Sequence, residues 1–88
     1  MFVYILTNKN KTTLYVGVTN DLSKRLAEHR EARNTFTSKY KCYNLIYFEE
    51  FQSPLDAIAR EKEIKKWRRE KKERLISSLN PHWDFWEF

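Results

Sequence analysis

One carboxylate, Glu61, stands in what reads as the apolar arc of a helix, and a guanidinium and an imidazole, Arg25 and His29, stand four residues apart in another segment. At about 100° per residue, Ile58 lies about 60° to one side of Glu61, and Ala57 and Ile64 lie about 40–60° to the other. Glu63 and Glu70 fall instead where solvated acids belong. A carboxylate in an apolar arc is paired or holds a cation; its ordinary alternative is a salt bridge to Arg25 or a neighbouring lysine. Arg25 and His29 share one helix face beside Leu22 and Leu26, where they lose hydration unless something anionic faces them. A partly solvated pair is the plainer reading. Gly17, the chain's single glycine, interrupts a β-branched run. Leu14, Val16 and Val18 point one way, and Tyr15, Gly17 and Thr19 the other. That second face carries a phenol, a gap and a hydroxyl, and a gap lets a ligand backbone come close. A bulge or a close helix would also explain it. Tyr4 alternates with Val3 and Ile5 and by itself reads as core.

These residues fall on a short succession of elements. Phe2–Thr7 and Thr12–Val18 are two strands joined by the polar Asn8-Lys9-Asn10-Lys11, a hairpin pattern. Asn20-Asp21 caps a helix through Leu22, Leu26 and His29 that ends near Arg33-Asn34, and residues 34–42 read as a polar loop. Asn44–Phe51 is a third strand. Ser53-Pro54-Leu55-Asp56 starts a helix with a Ser cap, Pro at the first position and an acid three residues after the cap. The helical pattern runs to about Leu79, where Asn80-Pro81 stops it, and its polar middle predicts a split near Trp67. The order ββαβαα predicts an α+β domain built on a small three-stranded antiparallel sheet flanked by helices.

Composition narrows the function classes. Eighty-eight residues with 41% hydrophobic and 33% charged side chains suit one compact domain over residues 1–88. No apolar run approaches the ~20 residues that span a bilayer, so no membrane partner is expected. The single Cys42 excludes an intrachain disulfide or a cysteine-based zinc site, and a reducing cytoplasm is the default location. Seventeen basic residues against twelve acidic ones give a net charge of +5. Residues 1–44 carry eight basic and three acidic side chains, and residues 45–88 carry nine of each. Basic clusters near aromatic side chains suit a phosphate backbone, although a solvated face laced with Glu–Lys pairs gives the same count at residues 60–74. Lys39, Tyr40 and Lys41 form a basic loop that could track a nucleic-acid strand. The aromatic end, with Trp83, Phe85, Trp86 and Phe88, either covers a small core or offers a dimer or partner surface.

Taken together, Val3-Tyr4, Tyr15-Val16-Gly17 eleven residues later, Arg25, His29, and Glu61 within Ala59-Arg60-Glu61-Lys62-Glu63-Ile64-Lys65 resemble the GIY-YIG nuclease superfamily. The likeness is greatest to its small stand-alone bacterial members and covers residues 2 to about 81. It implies a metal-dependent endonuclease that hydrolyses DNA phosphodiester bonds, in repair or recombination, with Mg²⁺ (or Mn²⁺) as cofactor. By that resemblance Tyr15 activates or positions the attacking water and Tyr4 supports the site. Arg25 binds the scissile phosphate, His29 acts as a base or on the leaving group, and Glu61 holds the cation. Gly17, Lys39, Lys41 and Asn80 are then the expected nucleic-acid contacts, with Asn80 reading equally well as a helix stop. The chain departs from the family pattern at Phe2, which replaces a glycine, at Val3 and Val16, and at Val18, where some members carry a lysine. A fixed arginine and a hard cation suit a transition state that gains negative charge. A phenol with a reference pKa of ~10 needs a neighbouring cation to serve as base. The alternative is a nucleic-acid-binding module of the same fold with little or no turnover; a weaker third is a protein-partner role for the aromatic end.

Overall fold

The alternating apolar and aromatic run Phe2–Thr7 forms the central strand of the sheet, and its residues from Val3 onward are buried. A strand covered on both faces needs such a continuous run rather than a polar–apolar alternation. The computed structural model describes residues 1–31 and 41–86, and the expected contact Lys39 lies outside the described residues. The described elements are β1 (Phe2–Thr7), β2 (Leu14–Thr19), α1 (Leu22–Glu31), β3 (Asn44–Glu50), α2 (Pro54–Lys65) and α3 (Arg69–Leu79). The strands pair antiparallel in the order β2-β1-β3, so the α+β order and the sheet agree with the sequence reading.

The pleat of β1 divides the core in two. Val3 and Ile5 pack with Val16, Ile46, Ala57 and Ile64 of α2 and Ile76 of α3. Tyr4 and Leu6 pack with Leu22 and Leu26 of α1, Cys42 and Leu45. The sheet is therefore the middle layer, with α1 on one face and α2 and α3 on the other. Pairing with β3 shifts register between Ile5, opposite Tyr47, and Leu6, opposite Leu45. Ile46 is the extra residue of this bulge.

Local chemistry sets the ends of the elements. In the hairpin loop, Asn8 Oδ1 accepts the amides of Thr12 and Thr13 at 2.8 and 3.1 Å. Arg69, at the start of α3, donates to the carbonyls of Thr12 and Lys11 at 2.7 and 2.8 Å, which ties that loop to the far helix. Asp21 Oδ1 accepts the amide of Lys24 and caps α1. Ser53 caps α2 ahead of Pro54, and the helical run breaks between Lys65 and Arg69, around Trp67. Trp83 packs on the α2–α3 side of the core and Trp86 on the α1 side. Trp86 also donates its amide to the carbonyl of Leu45 at 2.8 Å. These two rings thus cover the core, and Phe85 stays outside it beneath the ammonium of Lys11. Among the described residues, no helix is long and apolar enough to cross a membrane.

Candidate active site

Antiparallel pairing places Tyr4 directly opposite Gly17, and this one register decides much of the site. A Cβ on Gly17 would lie 2.4 Å from both Cζ and the hydroxyl of Tyr4. The gap foreseen at Gly17 is therefore filled from within the protein, by the ring of Tyr4. This corrects the expectation that Gly17 leaves room for a ligand backbone: the missing side chain lets Tyr4 lie flat across β2. The Tyr4 hydroxyl thereby reaches α1, where His29 Nε2 is 2.8 Å away and Arg25 Nε donates to the same oxygen at 3.4 Å. Tyr15, on the adjacent strand, sets its ring 5.2 Å from that of His29 and 6.4 Å from that of Tyr4. Four of the expected residues, Tyr4, Tyr15, Arg25 and His29, thus meet on the α1 face of the sheet.

The proton inventory of the cluster follows from burial. Tyr4 is fully buried, and its pKa is pushed up to about 12, first by loss of hydration and then against the opposing pull of Arg25. His29 is held below its ordinary value by burial and by the charge of Arg25. Near neutral pH the phenol keeps its proton and the imidazole is uncharged. Tyr4 and His29 share a hydrogen bond whose direction follows the imidazole tautomer, and Arg25 donates to the same phenol oxygen. Hydrogen bonding to Tyr4 raises the pKa of Arg25 further. Its guanidinium lies 3.7 Å from the carboxylate of Glu28, a half-exposed pair that is weak in water. The cluster accordingly presents one fixed positive charge.

Glu61 is carried by α2 on the other side of the sheet and approaches this cluster through Lys65, beside Tyr15 of the edge strand β2. Its side chain is 14% exposed and paired with Lys65 Nζ at 3.0 Å, and that ammonium lies 6.0 Å from the centre of the Tyr15 ring. The negative charge of Glu61 is felt at the Tyr4 phenol, which it helps keep protonated. Of the three flanking apolar neighbours read from the sequence, Ala57 and Ile64 are buried but Ile58 is exposed. Glu61 therefore stands at the rim of the buried stripe rather than inside it. The alternative of a salt bridge to a neighbouring lysine is realised by Lys65, a residue that only the i,i+4 spacing from Glu61 could have singled out.

Asn80 is placed differently from its expectation as a nucleic-acid contact. It is buried under the α2–α3 side, its Nδ2 donates to the carbonyls of Ile46 and Asp84 at 2.9 Å each, and its Oδ1 accepts the Asp84 amide at 3.0 Å. Its amide holds the end of α3 to β3, which is the helix-stop reading. Lys41 is exposed, with a left-handed φ of 57°, one residue before Cys42 of the Tyr4 core cluster.

Among the described residues, no three His, Cys, Asp or Glu side chains converge, so a cage made of protein ligands alone is not available. The donor set nevertheless suits Mg²⁺, which commonly takes one or two carboxylates and keeps its water and substrate oxygens. Glu61 supplies one such carboxylate, and its partner Lys65 is on a long, half-exposed stem that can turn away.

Comparison with known proteins agrees with the fold. Residues 1–74 match the family model of the GIY-YIG catalytic domain. A UPF0213 protein of Clostridium perfringens is 41% identical over 78 residues, covering 88% of this chain and 83% of the relative. Another UPF0213 protein, of Natronomonas pharaonis, is 38% identical over 77 residues, covering 86% and 89%. The solution NMR structure of a UPF0213 protein from Bacillus halodurans superposes with a TM-score of 0.61 at 30% identity, over 93% of this chain and 87% of that one.

Proposed function

Since the chain belongs to the GIY-YIG catalytic domain family, we propose that it is an endonuclease that hydrolyses DNA phosphodiester bonds with a divalent cation, Mg²⁺ or Mn²⁺, held by Glu61. The observation that carries this reading is the meeting of Tyr4, Arg25 and His29 within hydrogen-bond reach, at a phenol where the charge of Glu61 is also felt. When bound, the cation would supply Lewis-acid stabilisation of the phosphoryl charge. Arg25 binds a non-bridging oxygen of the scissile phosphate, where a fixed guanidinium is worth most as charge accumulates. Tyr15 orients the attacking water at the edge of the cluster. Tyr4 is too buried to touch substrate and too weak an acid to ionise near neutral pH. It is a positioning residue that fixes both His29 and Arg25. His29, uncharged, is the candidate base for a proton released at the site.

The test is a cleavage assay of the purified protein on linear and branched DNAs with Mg²⁺ or Mn²⁺, with chelator, and beside Glu61→Ala. Cleavage that needs the metal and Glu61, with DNA binding retained in the variant, supports the reading. The pairing of Glu61 with Lys65 favours the second reading, a DNA-binding module whose carboxylate is neutralised. That reading predicts binding without metal-dependent nicking even in the unaltered protein.

A further inference from the structure

The exposed surface of α2 beside Glu61 has a composition that cleavage chemistry does not explain. At about 100° per residue, Lys65, Ile58, Lys62, Leu55 and Lys66 follow Glu61 in sequence around the helix within about 140°, whereas Arg60, Asp56 and Glu63 lie on the opposite flank. The opposite flank is closed. Arg60 holds Glu49 through Nε at 3.0 Å and Nη2 at 3.1 Å, and its Nη1 pairs with Glu63. The flank beside Glu61 is open: Leu55 is 78% and Ile58 37% exposed, and Lys62, Lys65 and Lys66 are exposed around them. Two apolar side chains framed by three ammonium groups, running into the carboxylate of the candidate active site, form a surface for a ligand that is apolar and anionic at once. A nucleic-acid strand with splayed bases is such a ligand. An intact duplex offers this surface mainly phosphates and sugars, whereas an unstacked base also offers an apolar face, and aliphatic side chains are known to wedge against opened base steps. Leu55 is six residues from Glu61, about 9 Å along the axis, which equals two to three nucleotide steps at about 3.4 Å each.

Resting on the nuclease reading, we propose that Leu55 and Ile58 are specificity-determining residues that receive unpaired bases next to the scissile phosphate, so that the protein prefers junctions of single and double strand over intact duplex. Lys62 and Lys66 contact the phosphates of the same strand, and the apolar pair distinguishes the two DNA forms.

The test uses the full chain bearing Glu61→Gln, so that binding is read without cleavage. Fluorescence anisotropy at fixed salt compares a labelled strand–duplex junction with an intact duplex of equal length. Adding Leu55→Gln and Ile58→Gln, both at exposed helical positions, should weaken junction binding about tenfold and leave duplex binding within twofold, with an unchanged melting midpoint. Lys62→Gln should weaken both DNAs alike and reduce the salt slope by about one. A junction preference that survives the double substitution overturns the inference, and so does an equal loss on both DNAs. A dimer seen by sedimentation and abolished by the same pair of substitutions overturns it as well, because the surface would then belong to a second copy. A parent protein that does not bind the junction, or that binds the duplex as tightly, overturns it too. Metal-dependent cleavage by the protein with native Glu61 is scored separately. Its absence removes the nuclease reading, while the binding comparison still decides the role of Leu55 and Ile58.

Discussion

Two tyrosine–arginine clusters lie on opposite sides of this sheet, and they differ in what completes them. On the α2 side, the Tyr47 hydroxyl donates to Glu49, and Arg60 grips the same carboxylate with two nitrogens. Burial and Glu49 both push the Tyr47 pKa up, and the paired carboxylates raise that of Arg60. On the α1 side the phenol of Tyr4 meets an imidazole instead, and among the described residues the carboxylate paired with Arg25 is that of Glu28, half-exposed and 3.7 Å away. The first cluster contains its own anion and ties β3 to α2. The second retains a positive charge and an uncharged base, the arrangement that can receive a phosphate. Similar side chains thus form a brace where the arginine grips a carboxylate with two nitrogens and a candidate site where its carboxylate partner is exposed and loosely held. The brace matters to the site nonetheless, because Arg60 is the immediate neighbour of Glu61 and helps fix the rotation of α2.

The difference can be broken experimentally. Glu61→Gln should lower metal-dependent cleavage by at least about 10²-fold while DNA affinity, read by anisotropy, stays within about threefold. Arg25→Ala should cost about 10²–10³-fold in kcat/KM with little change in melting temperature, and Arg25→Lys should not restore it, because a point charge lacks the planar fork. Arg60→Ala should do the reverse. It leaves Glu49 and Tyr47 without their cation and should cost about 1–3 kcal/mol, equivalent to a fall of about 4–8 °C per kcal/mol for a domain of this size. If calorimetry and kinetics assign these two arginines the opposite way, the contrast between brace and site is wrong. Gly17→Ala forces a methyl into the Tyr4 ring and should cost about 1–3 kcal/mol of stability, read as a lower urea midpoint. It should also disturb the His29 ring resonances that Tyr4 positions. An Ala variant as stable as the parent would mean that the ring does not lie across β2.

The smallest effect concerns pH. The folded-state pKa of His29 is depressed below the ordinary 6.5, so as pH falls through that range the unfolded chain takes up the proton before the folded one does. Stability then rises with pH there. The contribution is fully present above about pH 6.5 and declines below it. Melting midpoints from pH 8 to 5 should fall more steeply for the parent than for His29→Gln, and parallel curves would show that His29 does not set the slope.

Much of this was legible along the chain because it depends on short-range periodicity. The Ser53-Pro54 start of α2, the break near Trp67 and the common face of Arg25 and His29 follow from cap chemistry and a 3.6-residue repeat, which need no knowledge of distant segments. Alternation placed Tyr4 and Leu6 on one side of β1 and Val3 and Ile5 on the other, and the core obeys it. Other features were not legible. Gly17 was open to several explanations because a missing side chain is silent about what fills its place. Asn80 could cap a helix or touch a ligand, since an amide suits both, and only the carbonyls of Ile46 and Asp84 decide between them.

The amino-acid order alone settled the element succession, the positive charge and the short set of side chains able to handle a phosphate, all of them local or additive properties. Tertiary structure decided which of those side chains meet. Cross-strand register laid Tyr4 over Gly17, the packing of α1 brought His29 and Arg25 to the same phenol, and the seat of α2 left Ile58 in solvent and Glu61 at the rim. Each of these is a contact between segments far apart in the chain, and its geometry depends on how whole elements pack rather than on the residues beside it.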